Sequence, residues 1–215
     1  MRTDEVPTQV KNPELVKKRR RQIVDAAVQL FIEKGFHKTT TRKIADASGI
    51  SIGSLYEYVT SKEDVLYLVC DAIHAEVECS LAAALLRLEQ KEKVLEEVMR
   101  EYFFVCDRMS DHILLMYQET QNLPMQWRNK VFETEIRITQ LFVDVFNKFN
   151  LFTTPNGTSL INVDILAHTI SVLGHMWVFR RWYLAKKYTI EEYIQCQIRL
   201  ILSELYPNTY SLSDK

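Results

Sequence analysis

Between Gly53 and Pro124 the chain runs for seventy residues, 54–123, without one glycine or proline. A sheet protein needs turn formers every eight to twelve residues or so, so this stretch has to be built from long helices. The whole chain of 215 residues holds only five glycines and five prolines. The expected fold is all-α, with about nine helices. Three of the glycines (Gly35, Gly49, Gly53) fall within the first quarter of the chain, which predicts short helices and tight turns there and long helices afterwards.

Hydrophobic residues make up 47% and charged ones 26%, the balance of a globular protein and not of a disordered chain, a collagen or a disulfide scaffold. The longest apolar runs, Val65–Cys70 and Leu81–Leu86, reach six residues, whereas a membrane span needs about 20. No membrane partner is expected. The charged start of the chain lacks the apolar core of a signal peptide. Cys70, Cys79, Cys106 and Cys196 lie far apart with no C-x-x-C pair, so they read as small buried hydrophobes in a reducing compartment. The expected location is cytoplasmic.

The net charge of −1 hides an uneven distribution. Residues 1–62 hold twelve Lys and Arg against seven Asp and Glu, and the remainder fifteen against twenty-one. A basic head on an acidic body suggests two tasks, one of them with a polyanion. The basic run Lys17–Arg21 also reads as an ordinary solvated helix start.

In the head, Ile23, Ala26, Ala27, Leu30 and Phe31 recur at helical spacing, predicting a first helix from Lys17 to Lys34 with Arg20, Arg21, Gln22, Gln29 and Glu33 on its wet side. Gly35 closes it. Thr39, Thr40 and Thr41 offer hydroxyl caps for a second helix, Arg42 to Ser48, which Gly49 ends. Ser51 caps a third, Ile52 to Tyr58. Two short helices joined by a glycine-containing turn form a helix-turn-helix, whose second member enters the major groove of DNA.

The residues Gly35–Ala45, Ser48-Gly-Ile-Ser51, Ser54-Leu-Tyr-Glu-Tyr58 and Ser61-Lys-Glu-Asp64 together resemble the signature of the TetR/AcrR family, over about forty residues with matching internal spacing. The resemblance implies a homodimer with an N-terminal three-helix DNA-binding domain and a C-terminal helical domain for ligand binding and dimerisation. It divides the chain into a flexible basic arm (1–16), a DNA-binding domain (17–62) and a body (63–215). Members of the family usually repress transcription and release the operator when a small molecule binds. The helix after the head is expected to carry that signal by swinging the head.

By the same resemblance, Arg42 reaches a guanine edge or a phosphate, and Ser51, Ile52, Gly53 and Ser54 open the recognition helix onto base edges. Thr41, Tyr56, Tyr58 and Lys62 fall on backbone-phosphate positions, which fix register without reading sequence. Leu55 is expected in the core. Glu57 departs from the pattern and is expected to point away from the DNA backbone. The arm with Lys11 and Lys17–Arg21 is expected to add phosphate or minor-groove contacts.

The body reads as a long helix from Lys62 to about Leu88, a polar break at 89–93, and helices to Met109, from Asp111 to Glu119, and from Pro124 to Phe149. A loop follows at 150–159, then helices Val163–Leu184 and Thr189–Tyr206. These last two are apolar around most of their circumference, with Ile165, Ile170, Val172, Met176 and Phe179 on one and Ile194, Ile198, Leu200, Leu202 and Leu205 on the other. Such helices need partners on several sides, which packing against the same pair in a second subunit supplies.

The middle of the body is rich in aromatic and sulfur side chains, most of them core and some lining a cavity for a small molecule. Phe103, Phe104, Tyr117, Gln118, Trp127, Trp177, Arg180 and Arg181 are the candidates for contacting a ligand. The segments 115–130 and 177–192 are similar to those of fatty-acid-metabolism regulators within the family, which implies a long-chain acyl-coenzyme A as effector. Arg128, Arg180 and Arg181 are then candidate cations for its phosphates, or else solvated helix faces and intersubunit ion pairs. Neither His168 with His175 nor the i, i+4 pair His74 and Glu78 reaches the three or four ligands of a metal centre, so they are expected to be satisfied within the fold. No metal or cofactor is expected. The absence of G-x-S-x-G, P-loop, dinucleotide and H-E-x-x-H motifs argues against an enzyme. Other readings are a repressor of an efflux or detoxification gene that senses an aromatic or cationic drug-like molecule, and a transcriptional activator.

Overall fold

The computed structural model describes residues 6–87, 93–152 and 162–205. Among these are nine α-helices and no strand. Residues 88–92, which hold most of the polar break expected at 89–93, residues 153–161, which hold most of the loop expected at 150–159, and the stretch after Leu205 lie outside the described residues, as do the side chains of Leu202 and Leu205.

Helix α1 spans Pro13–Lys34 and starts four residues before the expected Lys17. Asn12 caps it by accepting from the Leu15 amide at 3.2 Å, and Pro13 occupies the first turn, where its missing N–H leaves nothing unsatisfied. Gly35 ends α1 at φ 79°, the left-handed backbone that glycine adopts without a Cβ penalty. Helix α2 spans Thr41–Ala47, capped by Thr40, and α3 spans Ile52–Tyr56, capped by Ser51. Helix α3 is two residues shorter than expected, because the Glu57 and Tyr58 amides bond three residues back, to Ser54 and Leu55, and close the helix in a tighter turn.

The remaining helices are α4 (Lys62–Arg87), α5 (Val94–Arg108), α6 (Ser110–Glu119), α7 (Met125–Lys148), α8 (Val163–Leu184) and α9 (Ile190–Leu205), with a 3-10 turn at Thr120–Asn122 between α6 and α7. No described helix is long and apolar enough to cross a membrane. All four cysteines remain thiols; Cys70 and Cys106 are buried, Cys79 and Cys196 exposed.

The chain forms two compact units. The first runs to Glu76 and includes Met109–Glu135. Its core gathers Ile23, Ala27, Ile44, Ala45 and Leu55, each without measurable exposure, while α6 lies against α1. Asp64, 4% exposed, caps α4: one oxygen accepts from the Thr60 amide (2.8 Å) and hydroxyl (2.5 Å) and from the Ser61 amide (3.1 Å). The other accepts from the Trp127 indole at 2.9 Å, and Trp127 stacks on Tyr67 with ring centres 4.3 Å apart.

The second unit holds Val77–Arg108 and the chain from Ile136 onward, with α8 and α9 packed on α5. Gly174 sets the approach of α8 to α5. A Cβ there would stand 2.6 Å from Tyr102 Cε1 and 2.9 Å from Cys106 Sγ. Beside it the Tyr102 hydroxyl meets His175 Nε2 at 3.1 Å. Arg100 of α5 pairs with Glu191 of α9, and this holds the Glu191 carboxyl below its ordinary range.

Candidate functional site

Helix α3 starts on the Ser51 cap, whose hydroxyl accepts from the Ser54 amide at 3.1 Å. Ile52 and Ser54 are half-buried, while Ser51 and Gly53 are exposed. Gly53 has ordinary helical backbone, and a Cβ built on it meets only Ser51 Oγ, at 3.9 Å. The fold itself therefore does not require glycine at this position.

Across the turn, Arg42 is exposed on α2, and the Thr41 hydroxyl shares a hydrogen bond of 3.0 Å with the Tyr56 hydroxyl. That bond ties the two helices and leaves Tyr56 46% exposed. Seven of the nine residues singled out for DNA thus share the outer side of the helix-turn-helix.

The other two are engaged inside the head. Tyr58 is only 4% exposed, so its ring packs in the core of the head. The Lys62 ammonium donates to the Phe36 carbonyl at 2.8 Å and lies 4.1 Å from the centre of the Phe36 ring.

Arg20 reverses its expected placement on the wet side of α1. It is wholly buried. Its guanidinium donates from Nε and Nη2 to the Tyr58 carbonyl (3.1 and 2.9 Å) and from Nη2 to the Val6 carbonyl (2.6 Å). A buried cation needs such acceptors to offset its lost hydration. Within the described part of the expected arm, residues 6–16, the same link holds the chain on the head. Residues 13–16 are helical, Val6 is buried, and the Thr8 hydroxyl and Gln9 amide donate to the Glu57 carbonyl at 2.8 and 3.0 Å. The segment 6–9 is a strap laid across the end of α3.

The first unit also holds a cavity of about 450 Å³. Met116, Tyr117, Thr120 and Gln121 line it from α6 and the 3-10 turn, and Arg128, Val131, Phe132 and Glu135 from α7. The four α7 positions follow i, i+3, i+4, i+7 spacing, one helical stripe. The His74 ring contacts Glu135 Oε1 at 2.6 Å, so His74 pairs with α7 and not with Glu78, which accepts from Arg137 at 3.2 Å.

The eight ligand candidates divide between the two units, and of them only Tyr117 lines this cavity. Gln118 beside it is exposed, and Trp127 is the buried donor to Asp64. In the second unit Phe103 is wholly buried, Phe104 half-buried, and Trp177 donates to Asp107 at 2.8 Å. Arg181 pairs with that same Asp107 oxygen at 3.2 Å, and Arg180 lies over the Trp182 ring at 5.3 Å. Of the eight lining residues, sequence reasoning named only Tyr117 and Arg128 as ligand contacts; the signal for Val131, Phe132 and Glu135 was their helical spacing from Arg128. Among the described residues no group of three or more His, Cys, Asp or Glu converges as for a metal ion.

Residues 23–67 match the family model for bacterial regulatory proteins, tetR family. The chain is similar to the transcriptional regulator HbdR of Aromatoleum sp. strain CIB, with 26% identity over 199 residues, 93% of this chain and 86% of the relative. It is also 26% identical over 170 residues to the transcriptional repressor KstR2 of Rhodococcus jostii RHA1, covering 77% and 79% of the two chains. In fold it resembles the fatty acid degradation regulator FadR of Bacillus halodurans, with a TM-score of 0.67, 21% identity and coverage of 92% and 99%.

Proposed function

We propose that the chain is a DNA-binding transcriptional regulator of the tetR type, not an enzyme, which represses its target genes in the cytoplasm as a homodimer on a near-palindromic operator. A small apolar or amphipathic effector releases it. The observation that carries the DNA half of this reading is Gly53. Nothing in the fold needs a glycine there, and glycine in a helix is destabilising by about 0.5–1 kcal/mol relative to alanine. Close approach of the recognition helix to base edges supplies a reason to keep it. Arg42 and the Thr41–Tyr56 pair flank that approach, one aimed at a base edge or phosphate and the other at the backbone.

The dimer reading is supported by exposed apolar side chains on the last two helices: Ile165 (64%), Val172 (58%), Met176 (40%), Trp182 (64%) and Leu200 (57%). Two-fold packing of α8 and α9 against their copies covers such a face. For the effector, the resemblance of 115–130 and 177–192 to fatty-acid-metabolism regulators makes a long-chain acyl-coenzyme A the first compound to test. A cationic drug-like effector is disfavoured because it would have to face Arg128 in the cavity.

The test begins with an operator selected from random duplexes by the purified dimer. Gly53→Ala is expected to keep or raise the melting temperature while lowering operator affinity at least 10-fold. Tyr56→Ala is expected to weaken binding to every sequence with the dimer intact. Unchanged affinity in both variants would remove this face from the DNA contact. A reporter that rises when the gene is deleted supports repression, and one that falls makes the protein an activator.

A further inference from the structure

The cavity between α6 and α7 carries one charge that the fold does not use. Glu135 is held by His74 at 2.6 Å, the Thr120 hydroxyl donates to the Met116 carbonyl, and the Gln121 amide donates to the Gln118 carbonyl at 3.4 Å. Arg128 is half-buried in the cavity wall and, among the described residues, its guanidinium has no hydrogen-bond, ion-pair or ring partner. A guanidinium taken partly out of water with no partner is unfavourable, and its planar fork fits a carboxylate in two parallel hydrogen bonds. The rest of the wall is apolar and aromatic, with Val131 buried and Tyr117 and Phe132 each 52% exposed at the opening. Arg128 and Glu135 are seven residues apart on α7, so the groove between them is about 10 Å long.

We infer that this cavity binds a compact monocarboxylic acid, its carboxylate on Arg128 and its apolar body lying along Val131 and Phe132. This rests on the reading of the protein as an effector-released repressor and puts a free acid in place of the acyl-coenzyme A as its effector. In a thioester the carboxylate charge that Arg128 fits is gone.

The experiment titrates the full-length dimer calorimetrically with octanoate and 4-phenylbutyrate, and with methyl octanoate, octanol and octanoyl-coenzyme A as the uncharged and thioester counterparts. Either acid is expected to bind at least 10-fold more tightly than the ester. Arg128→Gln is expected to weaken the acid by roughly 10- to 100-fold, the worth of a charge-assisted pair of hydrogen bonds, and leave the ester unchanged. Arg128→Lys recovers part of the loss. Thermal unfolding of each variant reports that the fold is intact.

Failure of both acids to bind, acid and ester of equal affinity, or acid binding indifferent to Arg128→Gln overturns the proposal. Ester or octanoyl-coenzyme A binding that Phe132→Ala weakens leaves the cavity as the effector site and removes only the carboxylate. Acid binding that depends on Arg128 yet leaves the operator complex intact keeps the site and removes its role in release.

Discussion

Replacing the indole N–H of Trp127 isolates one bond at the junction of α4 and α7. Asp64 is buried and takes four donors, three of them at the start of α4 and the fourth from Trp127 at 2.9 Å. Incorporating 3-benzothienylalanine at position 127 exchanges N–H for sulfur while keeping the ring system, its burial and the stack on Tyr67. A hydrogen bond to a charged group contributes about 1.5–3 kcal/mol. In a domain of this size about 1 kcal/mol moves the melting temperature by roughly 2–4 °C, so the expected loss is roughly 3–12 °C. Trp127→Phe also removes buried ring atoms and should fall further, by about 1 kcal/mol more. Circular dichroism melts at one fixed protein concentration read both. A benzothienyl variant within about 1 °C of wild type would refute the assignment of Trp127 as a donor to a buried carboxylate. It would also leave Asp64 no special hold on α7, the helix that carries Arg128.

Arg20→Met should destabilise by about 3 kcal/mol, because at least two carbonyls lose a charged donor, and limited proteolysis should then cut within residues 6–12; an uncut strap contradicts its tether. Gly174→Ala should lower stability by about 1–3 kcal/mol in urea titrations, since its Cβ meets Tyr102 Cε1 at 2.6 Å and overpacked cores respond on that scale. A neutral result means α8 can shift freely from α5. Burial lowers the pKa of His112, against the pull of Asp25 and Asp111 in the other direction. The native state therefore binds this proton less readily than the unfolded chain, and stability is full above about pH 6.5 and lost as pH falls below it. His112→Gln should flatten the decline in melting temperature between pH 7 and 5.5, and an unchanged slope would assign that decline to other groups.

Helix positions were legible because burial imposes a period on the sequence. The expected span of α8 agrees with the structure at both ends, and α2 differs by one residue at each end. The start of α1 was missed although its signal, Asn12 before Pro13, is local; the basic run after it drew attention to Lys17. Arg20 could not be placed from periodicity. What buries it are carbonyls 14 and 38 residues away, a tertiary fact that no helical wheel contains. His74 follows the same pattern, paired 61 residues along the chain and not with Glu78, one turn away. The helix-turn-helix was readable because its two short helices are adjacent in the chain and capped by Thr40 and Ser51. The cavity was not, because aromatic content says nothing about which rings face each other. Trp127, Trp177 and Phe103 all turned out to be committed within the core.

The placement of the thiols makes the protein its own reporter of opening. Cys70 is buried in one compact unit and Cys106 in the other, while Cys79 and Cys196 stand exposed. Burial also pushes the Cys70 thiol up, which lowers the thiolate fraction that alkylating reagents attack. A pulse of such a reagent should label the two exposed sulfurs at once and each buried one only when its own unit opens. Mass spectrometry of the labelled peptides then gives two clocks on one molecule, without any engineered probe. Operator DNA should slow the Cys70 clock, and a compound that slows Cys106 instead would reveal binding in the half of the chain that the cavity does not reach.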